Sequence, residues 1–94
     1  LIYRTQVKII ADILKATKEY GYSEEGAGVT TIIRRANMPH SRLRKTLSDL
    51  VSAGLLDETG SGKVTKYRIS NKGEEFLQAY SRFEHFAGTF GLRL

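Results

Sequence analysis

Apolar residues recur along the chain with two different periods, and the change of period divides it into elements. In "TQVKIIADILKATKEYGYSEEG", Ile9, Ile13, Ala16 and Tyr20 fall at helical spacing. Val7, Ile10 and Leu14 form an adjacent stripe, while Lys8, Asp12, Lys15 and Glu19 lie opposite. An apolar stripe of this period marks a helix that faces a core. Two stripes side by side predict an apolar arc wider than one neighbour needs. Thr5 stands where an N-cap belongs, and Gly21 where the helix stops. The glycines of "YSEEGAG" predict a loop without regular structure. Its Glu24 and Glu25 read as solvated carboxylates rather than an acid–base pair, because no other group of catalytic type lies near them in sequence.

The segment "VTTIIRRANMPHSRLRKTLSDLVSAG" predicts a short helix, a tight turn and a longer helix. Ile32, Ile33 and Ala36 give the first helix its core contacts. Asn37 tolerates the left-handed conformation that ends a helix. Pro39 suits the first turn of the next one, where its missing N–H does no harm. Met38 is expected to plug the core between the two. Leu43, Leu47, Leu50 and Val51 then form a clean stripe, and Gly54 closes the helix.

In "LLDETGSGKVTKYRIS" the period falls to two. Val64, Lys66 and Arg68 alternate with Thr65, Tyr67 and Ile69, which predicts a strand with one buried face. Leu55 and Leu56 begin its partner, and Gly60, Ser61 and Gly62 lie between the two. "NKGEEFLQAYSRFEHFAG" returns to helical spacing, with Phe76, Tyr80, Phe83 and Ala87 on one stripe that Phe90 continues. Ser70 is the expected cap, with Glu74 and Glu75 near the positive end of the helix dipole. Gly88 and Gly91 are expected to weaken the helix beyond about residue 87.

The run Thr59-Gly60-Ser61-Gly62-Lys63 looks at first like a phosphate-binding loop. Such a loop begins at a glycine, carries Ser or Thr after its lysine, and opens a helix. Here Asp57 holds the first glycine position, Val64 follows Lys63, and a strand pattern comes next. The run reads as a hairpin tip, whose glycines supply positive φ angles.

Charge adds a location. Residues 30–72 hold nine Lys or Arg against three acids, a net +6; the rest holds six bases and seven acids. A basic segment between near-neutral flanks predicts a polyanion-binding face. The 94 residues are read as one domain, 1–94, with room for one modest core. There are no cysteines, which excludes disulfides, thiolate chemistry and cysteine zinc sites. No apolar run approaches the roughly 20 residues of a membrane span, and no signal-peptide pattern opens the chain. The expectation is an intracellular, cytoplasmic and nucleoid-associated protein. His40 and His85 have no ligand-type partner at metal spacing. His40 is expected to be structural, near the apolar side of its helix. No metal, cofactor, small-molecule ligand or catalysis is assigned.

The order of elements is helix, helix, turn, helix, hairpin, helix, which is the winged helix-turn-helix plan: mostly α with a two-stranded hairpin. The residues "TTIIRRANMPHSRLRKTLSDLVSAGLLDETGSGKVTKYRISNKGEEFL" resemble a family at four places. These are Thr31 to Ile33 at the start of the second helix, Ala36 to Met38 at the turn, Leu43 to Leu56 through the third helix, and Tyr67 to Leu77 leaving the wing. The pattern is similar to that of the archaeal winged-helix regulators related to the small Sulfolobus ten-kilodalton chromatin protein. Pro39 departs from it, standing where relatives usually carry a Ser-type cap. The resemblance implies double-stranded DNA as partner, and a homodimer joined through the last helix.

The residues name their own candidates for that role. Ser41, Arg42 and Lys45 point away from the apolar stripe of the third helix and are candidate base readers, since the N-terminal half of a recognition helix enters the major groove. Arg34, Arg35 and Arg44 are candidate phosphate contacts. Lys63 at the wing tip, with Lys66 and Arg68 on the strand, is expected beside the main site. The plainer reading is a solvated outer face, and edge lysines that block aggregation. Tyr80, Phe83, Ala87 and Phe90, within a helix placed at 71–90, are expected at the dimer seam. The expected function is DNA binding by a transcriptional regulator. The alternatives are a winged-helix protein-interaction module and a non-specific architectural chromatin protein.

Overall fold

A computed structural model describes residues 5–21, 26–60 and 64–92. In chain order the elements are α1 (Gln6–Tyr20), β1 (Ala27–Gly28), α2 (Val29–Ala36), α3 (His40–Ser52), β2 (Leu56–Thr59), β3 (Lys66–Ile69) and α4 (Asn71–Gly88). The sheet has the order β1-β3-β2 and both pairings are antiparallel.

Most of the wide apolar arc of α1 is explained by its neighbours, while Val7 at its start stays exposed. The helix packs against α2, α4, β1 and β3 together. Ile9, Ala11, Ile13, Leu14, Ala16 and Thr17 are all buried. The Thr17 hydroxyl donates to the Ile13 carbonyl at 2.8 Å, so its burial leaves no unpaired polar group. At the start of the helix the Thr5 hydroxyl accepts from the Lys8 amide at 3.1 Å, as a capping residue should. Tyr20, expected on the core stripe, is exposed instead, and the guanidinium of Arg35 lies 5.0 Å over its ring.

The α2–α3 turn is made by two residues. Asn37 adopts a left-handed conformation (φ 54°, ψ 58°) and its amide bonds to the Ile33 carbonyl at 2.9 Å, ending α2. Pro39 is extended (φ −62°, ψ 142°) and serves as the N-cap of α3, one position before the first-turn place expected for it. Its fixed φ suits either position. Met38 between them is buried, and Leu43, Leu47 and Leu50 carry α3 into the same core.

The count of strands is corrected. The loop before α2 contains a strand: Ala27 pairs with Tyr67 and Gly28 with Lys66, so the sheet has three strands rather than two. The glycines there do not prevent pairing; Gly26 takes a positive φ of 89° and turns the chain into β1. α4 spans Asn71–Gly88, which meets the limit near residue 87 expected from Gly88 and Gly91 and stops short of the 71–90 placement; it ends in a defined turn. Gly91 is left-handed (φ 76°), and the Leu92 amide bonds to the Ala87 carbonyl at 3.0 Å.

Ser70 joins α4 to the end of α3. Its hydroxyl accepts from the Gly73 amide at 3.0 Å and donates to the Gly54 carbonyl at 2.6 Å. Lys72 Nζ donates to the Ala53 carbonyl at 3.1 Å. Any side chain at Gly73 would run into the Leu55 carbonyl and Ile69. This close approach fixes the wing and α4 relative to α3.

Candidate nucleic-acid interface

The outer surface of α3 follows from its core stripe. With Leu43, Leu47 and Leu50 buried, Ser41, Arg42, Arg44, Lys45, Ser48 and Asp49 are exposed. Arg42, Arg44 and Lys45 form no salt bridge among the described residues. Residues two apart on a helix do not share a face. Arg44 and Arg42 therefore stand on opposite flanks, with Ser41 and Lys45 between them.

The Arg44 flank faces the wing. His40, Arg44, Ser48, Val51 and Ser52 of α3 line an open cleft of about 630 Å³ together with Glu58, Thr65 and Tyr67 of the hairpin and Val29 of α2. Glu58 and Tyr67 are directly opposite in the β2–β3 register. Burial pushes the Tyr67 hydroxyl above its ordinary pKa, the Glu58 charge adds to the rise, and Arg44 opposes it. The three groups thus lie within electrostatic reach of one another.

His40, expected to be structural near the apolar side of its helix, is exposed at the first turn of α3 and belongs to this cleft. It falls nearly in line with Leu43 and Leu47, but at the first turn of α3, where it lines the open cleft instead of packing. Glu58 and Tyr67 were not among the expected site residues. Strand alternation does put both on the core-side face, but only the fold shows that α3 leaves that face open near the wing.

The remaining candidates separate. Arg34 is exposed at the end of α2. Arg35 is held back against α1: its Nη2 lies 3.2 Å from Glu19 Oε2, and its guanidinium stacks over Tyr20. Lys66 and Arg68 pair with Thr59 and Asp57 on the face of the hairpin that points away from the cleft. Arg68 lines a depression on that reverse side with Thr17, Lys18, Gly21, Ile69 and Glu74. The structure therefore does not bring Lys66 and Arg68 to the cleft wall with Arg44. Lys63, Glu24 and Glu25 lie outside the described residues.

The expected α4 seam also divides. Tyr80 and Ala87 are buried within the chain, so they are not available on its surface. Tyr80 packs beside α1, with Lys15 Nζ 5.7 Å from its ring centre. Phe83 and Phe90 are 56% and 66% exposed, and Phe86, which was not expected in the seam, is 60% exposed. Phe86 and Phe90 meet edge to face at 5.2 Å.

A family model described as winged helix-turn-helix matches residues 3–88. The chain belongs to the winged helix-turn-helix family. Within it, α2 and α3 are the helix–turn–helix pair, and β2 and β3 form the wing. Two solved structures are similar to this winged helix. One is Sso10a-2, a DNA-binding protein from Sulfolobus solfataricus: TM-score 0.77 and 24% identity, over 93% of this chain and 85% of that one. The other is a candidate DNA-binding protein from Ralstonia eutropha: TM-score 0.60 and 24% identity, over 77% of this chain and 93% of that one. Among curated proteins none matches. Among the described residues no helix of this winged helix is long and apolar enough to cross a membrane.

Proposed function

We propose that this winged helix binds double-stranded DNA as a homodimeric, nucleoid-associated transcriptional regulator. α3 enters the major groove with Ser41, Arg42 and Lys45 toward the bases, and the wing lies on the backbone or in the minor groove. The observation that carries the reading is the start of α3, where three exposed cations without salt-bridge partners stand on the helix that follows the turn. An unpaired Arg or Lys has no ion pair to break before it turns to a phosphate or a guanine edge. Arg34 and Arg44 flank the base-facing residues and suit phosphate contacts. Arg35, already paired with Glu19, contributes less. Both similar solved proteins are described as DNA-binding or candidates for it, which agrees with this reading.

The homodimer rests on α4. Phe83, Phe86 and Phe90 leave one side of the helix apolar and exposed, and contiguous aromatic surface of that kind marks an interaction face. A two-fold pair of α4 helices would cover it and present two α3 helices to a repeated or palindromic site. Selection of bound sequences from random duplex DNA tests the regulatory role. A defined consensus is expected; bound DNA without one makes the protein architectural, and no bound DNA defeats the reading.

A further inference from the structure

The cleft between α3 and the wing has chemistry that a groove-reading helix does not require. A guanidinium (Arg44), a phenol (Tyr67) and a carboxylate (Glu58) share one open space. Among the described residues none of their side chains is in a hydrogen bond or salt bridge. Directly opposed residues of an antiparallel pair hold their Cβ atoms roughly 4.5–5.5 Å apart. Glu58 and Tyr67 are such a pair, so the carboxylate and the phenol ring stand side by side, with Arg44 lining the same cleft. Arg44 and the Tyr67 hydroxyl are donors suited to a phosphate oxygen, and Arg can offer two parallel N–H bonds. Glu58 has the opposite effect: it accepts only, and it repels an anion. His40 lines the same cleft and adds a further donor.

We propose that this cleft seats one DNA phosphate, held by the Arg44 guanidinium and the Tyr67 hydroxyl, and that the Glu58 carboxylate is an opposing charge that limits affinity. The inference rests on the DNA-binding reading and assigns three residues within it. Glu58 weakens every complex by about the same factor, so duplexes lacking good base contacts for α3 fall below useful affinity first. The ratio between good and poor sequences is unchanged by this, because specificity is a difference of affinities and the penalty is common to both. Two unit charges about 4 Å apart in water interact by about one kcal/mol, which sets the expected change near fivefold.

The test is duplex affinity of the full chain at fixed salt for wild type, Glu58→Gln, Tyr67→Phe, Arg44→Ala and the Glu58→Gln/Arg44→Ala pair. Thermal melts confirm that each variant is folded. Glu58→Gln should bind about three- to tenfold tighter than wild type. Tyr67→Phe keeps the ring and its packing and should bind several-fold weaker. In the Arg44→Ala background, the gain from Glu58→Gln should fall below about twofold, because the phosphate no longer sits beside it. If folded Glu58→Gln binds no tighter than wild type, or Tyr67→Phe binds as wild type does, the seat is wrong while DNA binding stands. If wild type binds no duplex, both the seat and the DNA-binding reading fail.

Discussion

The outer faces of α3 and α4 are both exposed and have opposite chemistry. α3 offers Ser41, Arg42, Arg44 and Lys45; α4 offers Phe83, Phe86 and Phe90. Both helices are anchored by an inner apolar stripe, Leu43, Leu47 and Leu50 in one case and Tyr80 and Ala87 in the other. What differs is the width of the apolar arc. In α3 it is narrow and fully covered, which leaves a charged surface for a charged partner. In α4 it extends past the region that α1 covers, and the surplus is aromatic. One helix is thus suited to bind a polyanion and the other a second apolar surface, and the two can be disturbed separately.

The largest expected effect is on the charged face. Arg42→Ala and Lys45→Ala should together reduce duplex affinity, with a base-reading Arg42 alone costing about 1–3 kcal/mol and losing preference at one position. Folding stability should change by no more than about 0.5 kcal/mol, because both side chains are exposed. Binding measurements and a thermal melt on the same variants check this. Unchanged affinity in the double variant would mean that a different face of the protein meets DNA.

Next in size is the aromatic face. Phe83→Glu should leave the fold intact and convert a dimer to a monomer in sedimentation, with weaker binding to DNA. A wild type that is monomeric at about tens of micromolar, generous for a specific interface, would defeat the dimer and leave the α4 face without its proposed partner.

The smallest effect separates the buried part of α4 from the exposed part. The ring of Tyr80 is buried, and burial, then Glu84, raises its pKa above the ordinary value for tyrosine. Tyr67 is shifted the same way. A group whose pKa is raised on folding contributes stability that is whole below its unfolded value, about 10 for tyrosine, and is lost as pH rises through the folded value. Stability should therefore decline above about pH 10, and Tyr80→Phe should flatten the decline. An identical alkaline decline in Tyr80→Phe would show that Tyr80 is not its source.

The helices and the turn were legible because their signals are local. Thr5, Asn37 and Ser70 end or begin helices through bonds to residues three or four positions away. β1 was not legible. Two residues carry no periodicity, and Ala27 and Gly28 pair only because Tyr67 and Lys66 arrive beside them. The α4 stripe was legible as apolar but not as divided, since where α1 stops covering it depends on helix packing. The same holds for the site. The spacing of Arg42 and Lys45 opposite a leucine stripe is visible in the sequence. That Arg35 would be taken by Glu19, and that Glu58 and Tyr67 would face Arg44, depends on residues brought together from distant segments.

On the proposed function, α3 and the surfaces beside it meet DNA through charge. The most direct measurement is duplex affinity at several salt concentrations. Log affinity should fall linearly with log salt, with a slope of about −0.9 for each phosphate contact, and the slope should shrink in Arg44→Ala. An affinity independent of salt would contradict the claim.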